Sequence, residues 1–101
     1  MSTKKQYLKD KPVCKVTFKV GKEVTNGSYK VQLVGDFNDW DTSRPPMKKL
    51  KTGEYSETIS LEPGREYQYK YLIDDRIWEN DIDADKYVPN SYAGTNSVVV
   101  L

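Results

Sequence analysis

Histidine is missing from this chain, and cysteine occurs once, at Cys14. The first absence removes the commonest general base and metal ligand. The second excludes an internal disulfide, a cysteine-based zinc site and a Cys/His nucleophile pair. Long apolar stretches are missing too. The longest unbroken run, Val98 to Leu101, is far too short to span a bilayer, so no membrane partner is expected. Neither sign of charge dominates. Sixteen basic residues against fifteen acidic ones leave a net +1, whereas a nucleic-acid binder gathers a basic excess into a patch. Lys48, Lys49 and Lys51 form the one tight basic cluster beyond the N-terminus, and a solvated turn accounts for it. The lysine-bearing start, Met1 to Lys11, leads into no apolar stretch and does not read as a secretory signal. A lone thiol without an export signal predicts a reducing cytoplasm.

What is present is period-two alternation, the mark of half-buried strands. Cys14, Val16, Phe18 and Val20 point one way, and Lys15, Thr17 and Lys19 the other. Asn26-Gly27 is a favoured hairpin dipeptide, after which Tyr29, Val31 and Leu33 turn inward in a strand ending at Gly35. Tyr55, Ile59 and Leu61 alternate with Ser56, Thr58 and Ser60. Past the Pro63-Gly64 turn, Tyr67, Tyr69, Tyr71 and Ile73 share one face, against Glu66, Gln68 and Lys70. Short strands over 76–79 and 97–101 complete the set. No helical period of useful length intervenes. The 101 residues suit a single domain. The prediction is a flexible lead-in over residues 1–11 and one all-β domain over 12–101. Its six to eight short strands form an antiparallel, immunoglobulin-like β-sandwich.

Two tryptophans do not fit that pattern. Trp40 stands in Asp36-Phe37-Asn38-Asp39-Trp40-Asp41, and Trp78 in Asp75-Arg76-Ile77-Trp78-Glu79-Asn80, both strongly polar settings. One reading has each indole capping an end of the core, its N–H meeting a local acceptor. The other has the rings stacking on sugars. A pyranose exposes C–H groups on its faces and hydroxyls around its edge, so an indole plane meets the face while polar groups bond the rim. Lys70, outward on its strand, and Asn96, ahead of the last strand, are available rim partners, with solvated lysine and turn residue as their plainer readings.

At these residues the chain resembles the family-48 carbohydrate-binding modules, which include the glycogen-binding domain of the AMP-activated protein kinase β subunit. The family also includes the early-set domains that precede the barrel of isoamylases and branching enzymes. The segment from Val31 to Trp40 is similar to the family's apolar strand running into G-x-F-N-x-W. Pro63 to Tyr71 resembles its P-x-G-x-x-x-Y-K-Y/F segment, which is followed by an aspartate turn and a tryptophan, and Gly94 to Val100 its closing strand. The resemblance implies an early-set sandwich that binds α-1,4-linked glucan such as glycogen, starch or maltooligosaccharide, without catalysis and without a cofactor. Carried over position by position, Trp40 and Trp78 are the stacking rings, although the Trp78 loop is one residue longer than in the kinase domain. Lys70 and Asn96 are the hydroxyl-bonding groups. Tyr92 falls where the kinase domain has a leucine that packs on the sugar. The resemblance also implies a protein partner, either a glucan-active enzyme or a kinase-like protein; the alternatives are a protein-interaction module of the same fold and an accessory domain of an amylase-family glycoside hydrolase or branching enzyme.

Hydrolysis would need paired carboxylates, one with a raised pKa. The aspartates near the tryptophans, Asp36, Asp39 and Asp41 and then Asp74 to Asp85, read instead as exposed, loop-forming residues. Alternating Asp81, Asp83 and Asp85 would suit calcium, but the glycine and closing glutamate of an EF-hand are missing. No metal site is expected.

Overall fold

Strand alternation resolves into two antiparallel sheets packed face to face. The computed structural model describes residues 3–25, 30–91 and 94–101. The first sheet comprises β1 (Thr3–Tyr7), β2 (Cys14–Val20), β5 (Tyr55–Leu61) and β4 (Lys48–Lys49), side by side in that order. The second comprises β3 (Val31–Gly35), β6 (Glu66–Ile73), β9 (Thr95–Val100) and β8 (Lys86–Pro89), with β7 (Ile77–Glu79) also on β6. The described residues thus hold nine strands, more than the sequence predicts. A single helical turn, Lys22–Thr25, follows β2. The hairpin dipeptide Asn26-Gly27 and the inward Tyr29 fall outside the described residues.

The core lies where the inward phases meet. Cys14, Val16, Phe18 and Val20 of β2 face Tyr67, Tyr69, Tyr71 and Ile73 of β6, all buried. Phe18 meets Tyr69 edge-on at 5.0 Å between ring centroids. Burying one such ring contributes roughly 1.5–3 kcal/mol, which makes this aromatic seam the main apolar support of the fold. Glu57 interrupts the inward series of β5 opposite Phe18. Burial pushes its carboxyl above the ordinary value, and the Arg44 charge offsets part of that rise.

Three features differ from the sequence-based expectation. Thr3–Tyr7 is not a lead-in but a strand in register with β2, from Thr3 opposite Phe18 to Tyr7 opposite Cys14. Lysines on an edge strand blunt its tendency to recruit another chain, and they also hide it from an apolar pattern search. β4 and β8 are likewise strands without apolar alternation. Asp81, finally, is not an exposed loop residue. It is 2% exposed, because its Oδ2 accepts from the phenols of Tyr69 (2.7 Å) and Tyr71 (3.3 Å).

The arrangement around β6 positions the site. β3 runs along one side of it, from Gly35 opposite Tyr69 to Val31 opposite Ile73. The other side is shared, with β9 covering Glu66 to Tyr69 and β7 covering Tyr71 to Ile73. Lys70 sits in the gap between them.

Candidate functional site

The loop after β3 begins with Gly35-Asp36-Phe37-Asn38-Asp39-Trp40, and each of its conspicuous residues has a separate physical role. Phe37 turns into the core against Phe18 and Tyr67. Asn38 completes the edge of β3, its Nδ2 donating to Leu33 O (3.0 Å) and its Oδ1 accepting from Gly35 N (3.1 Å). Asp39 and Trp40 then adopt left-handed backbone, both with φ of 56°. A bulky residue resists that conformation, and such strain concentrates at functional positions. Here it is stabilised by Trp40 N donating to Gly35 O (2.9 Å) and by the indole Nε1 donating to Asp36 Oδ1 (2.9 Å). The other oxygen of Asp36 accepts Gln68 N at 2.8 Å, so one carboxylate ties the ring to β6.

Beyond Trp40 the loop folds back over the outer side of β3. Ser43 donates its hydroxyl and its N–H to Asp41, which lowers the Asp41 pKa. Gln32 donates from Nε2 to Thr42 O (2.8 Å) and Arg44 O (2.6 Å), and Met47 N bonds Val31 O. Gln32 and Val34, which point away from the core by alternation, are therefore buried.

Trp78 arrives from the opposite direction. It lies directly across from Leu72, on the outward face it shares with Lys70, and is 44% exposed. Its strand end is sewn to β9, since Asn80 Nδ2 donates to Thr95 O and Oγ1 (3.1 Å each) while Ser97 Oγ donates to Asn80 Oδ1 (2.8 Å). Lys70 Nζ donates to the same Thr95 carbonyl at 3.0 Å. Asn96 bridges Asn90 and Gln68 through its amide.

The outcome is one groove of about 800 Å³ on the outer face of the second sheet. Trp40, Trp78, Lys70 and Asn96, the four described residues singled out by motif, all line it. Trp40 is half-buried rather than fully exposed, and its indole has the local acceptor that a capping role would also require. Tyr92 lies outside the described residues. Thr42, Gln68, Asn90, Ser91 and Gly94 also line the groove, and no motif in the sequence marks any of them as a binding residue. Gln68 alone had a legible signal, the outward phase it shares with Lys70.

The aspartates are engaged elsewhere. Asp81 Oδ1 accepts Asp83 N, and Asp85 Oδ2 accepts Lys5 Nζ and Val100 N (both 2.7 Å). No cluster suited to a metal ion occurs among the described residues.

A family model described as the glycogen recognition site of AMP-activated protein kinase matches residues 20–100. That span takes in the whole second sheet and every residue of the groove, and it leaves out β1 and nearly all of β2. No curated protein matches the chain at a significant level. The family match and a two-sheet sandwich presenting this groove lead to one assignment: the chain belongs to the family of the AMP-activated protein kinase glycogen recognition site, a family of carbohydrate-binding modules.

Proposed function

We propose that the groove holds an α-1,4-linked glucan (glycogen, starch or maltooligosaccharide) and breaks no bond in it. Trp40 and Trp78 stack on sugar faces, while Lys70 Nζ and the Asn96 amide bond hydroxyls at the rim. The observation that carries this reading is the convergence of two indoles, one from the loop after β3 and one from β7, with those two polar groups in one open groove. A non-catalytic role accords with Asp36, the carboxylate at the Trp40 ring, whose two oxygens are engaged by the indole N–H and the Gln68 N–H. A shallow site that desolvates few groups binds weakly, with a dissociation constant on the order of micromolar to millimolar. Its use is docking, in which a glucan-active enzyme or kinase-like protein associated with the module is brought to the polysaccharide.

Titration with maltoheptaose or β-cyclodextrin, followed by tryptophan fluorescence, tests the proposal. A saturable change is expected in the native protein, with affinity about five- to thirtyfold weaker in Trp40→Ala and in Trp78→Ala, because a stacked ring contributes roughly 1–2 kcal/mol. A flat titration of folded protein would overturn the glucan reading and favour a protein-interaction module.

A further inference from the structure

Asn96 is gripped on both sides by other carboxamides. Asn90 Nδ2 donates to Asn96 Oδ1 at 3.0 Å, and Asn96 Nδ2 donates to Gln68 Oε1 at 3.0 Å. A carboxamide can be turned end for end without changing its outline, so three in a row have two self-consistent directions. A backbone group selects between them. Gly94 N donates to the Asn90 side chain at 3.1 Å, and an N–H can meet only the oxygen end of an amide. Asn90 must therefore offer Nδ2 to Asn96, and Asn96 must offer its own Nδ2 to Gln68. Gln68 receives that bond on oxygen, so Nε2 is the end of its amide that the ladder does not use, on a residue that lines the groove. Asn90 N also bonds Gly94 O at 2.9 Å, so loop closure and amide direction are a single constraint. With Lys70 Nζ two residues along β6, the groove lining holds a donor-bearing side chain at each of these two outward positions.

We propose that Gln68 is an additional sugar contact, donating from Nε2 to a glucan hydroxyl oxygen. Asn90 is the positioning residue that sets the direction of the Asn96 and Gln68 amides. The inference rests on the glucan reading, and its test separates the two.

Asn90→Asp preserves the outline and the oxygen that accepts from Gly94, but at neutral pH it presents Asn96 with a second oxygen in place of a donor. The Asn96 and Gln68 amides then reverse, and Gln68 Oε1 turns to the groove. Maltoheptaose affinity should fall about tenfold at neutral pH, the effect of one lost charge-free hydrogen bond plus a misdirected acceptor. It should recover on acidification, because the introduced carboxyl, once protonated, donates where the amide did. Lys70 lines the groove, Asp36 bonds the Trp40 indole and Asp39 and Asp41 flank it in the chain, and wild-type protein titrated at each pH removes their contribution. Gln68→Glu keeps the acceptor for Asn96 and removes the donor, so it should also weaken binding about tenfold at neutral pH. Wild-type binding with both variants unchanged overturns the inference and leaves the glucan reading intact. Loss in Asn90→Asp without acid recovery overturns the positioning role. If that variant does not fold, Gln68→Glu decides the sugar contact and the side-chain amide resonances of Asn96 and Gln68 decide the ladder. Wild-type protein that binds no glucan removes the glucan reading itself, and the inference with it.

Discussion

The two sheets of this domain share one pleat and wear it differently. On the first sheet the outward residues of β2 and β5 are Lys15, Thr17, Lys19, Ser56, Thr58 and Ser60, none of them buried, with Thr17 and Thr58 joined across the strands at 2.8 Å. On the second sheet the outward residues Gln32, Val34, Leu72 and Val98 are at most 5% exposed. The strand geometry is the same; what differs is the cover. A loop tied down by Asn38 and Gln32 lies over β3, and Asn90, bonded to Gly94 between β8 and β9, lies at the other margin. Between them, Lys70, Gln68 and Asn96 line an open groove, with one indole entering from the loop after β3 and the other from β7. A groove on this sandwich thus arises from a face that is covered incompletely, while the bare face offers only solvated lysines and hydroxyls.

The sharpest way to break this comparison is at Gly35, where β3 ends and its cover begins. A Cβ there would meet Gln68 O at 2.4 Å, Tyr69 Cβ at 2.7 Å and Phe37 Cζ at 3.0 Å. The backbone at Gly35 is extended, so the obstacle is space, and two of the three atoms belong to or adjoin backbone that cannot yield. Gly35→Ala should cost about 2–4 kcal/mol in urea unfolding and displace the Trp40 loop. Lys15→Ala on the bare face should stay within about 0.5 kcal/mol. Equal costs at the two positions would end the distinction between a covered and an uncovered sheet.

A second contrast lies inside the sandwich. β2 contributes purely apolar side chains to the core, whereas β6 contributes three tyrosines, two of which, Tyr69 and Tyr71, turn their hydroxyls to Asp81. Burial pushes the phenols of Tyr69 and Tyr71 far above their ordinary value of 10.0, with the Asp81 charge and hydrogen bonds adding to the rise. The folded chain therefore keeps protons that the unfolded chain releases above pH 10. Stability from these groups is complete below that pH and declines above it, by about 1.4 kcal/mol per pH unit for each phenol. Urea unfolding at a series of alkaline pH values should show the decline, and Tyr69→Phe should make it shallower by about one phenol's share. An unchanged slope would mean that the Tyr69 hydroxyl is not sequestered.

These particulars show what a linear reading can and cannot reach. β2 and β6 are legible because one face of each is apolar and the alternation records it. β1 is not, because a strand of Thr, Lys and Gln has no apolar phase to detect, and its inward Lys5 finds a partner, Asp85, eighty positions away. The burial of Gln32 and Asp81 depends on distant hydroxyls and carbonyls, which no local pattern contains. The site divides in the same way. Trp40, Trp78, Lys70 and Asn96 stand out by motif, and all four line the groove. Thr42, Asn90 and Ser91 are ordinary loop residues in sequence, and they converge only through strand register and loop closure.

The finest distinction concerns Asp36, which joins the cover to the groove. Its carboxylate accepts the Trp40 indole N–H and the Gln68 N–H at once, so it fixes a ring that would otherwise pivot about a strained backbone. Asp36→Ala leaves the core intact and frees that ring. Maltoheptaose should then bind about three- to tenfold more weakly, the loss of roughly 1 kcal/mol of preorganisation. The Trp40 contribution to the emission should shift as the indole gains water. Asp36→Asn retains one acceptor and should fall between the two. On the bare sheet Lys19→Ala should leave glucan affinity unchanged, and because the ligand is uncharged, a tenfold change in ionic strength should do the same. Affinity that follows the sheet-one lysines or the salt concentration, with no response at Asp36, would place recognition on the opposite face of the domain.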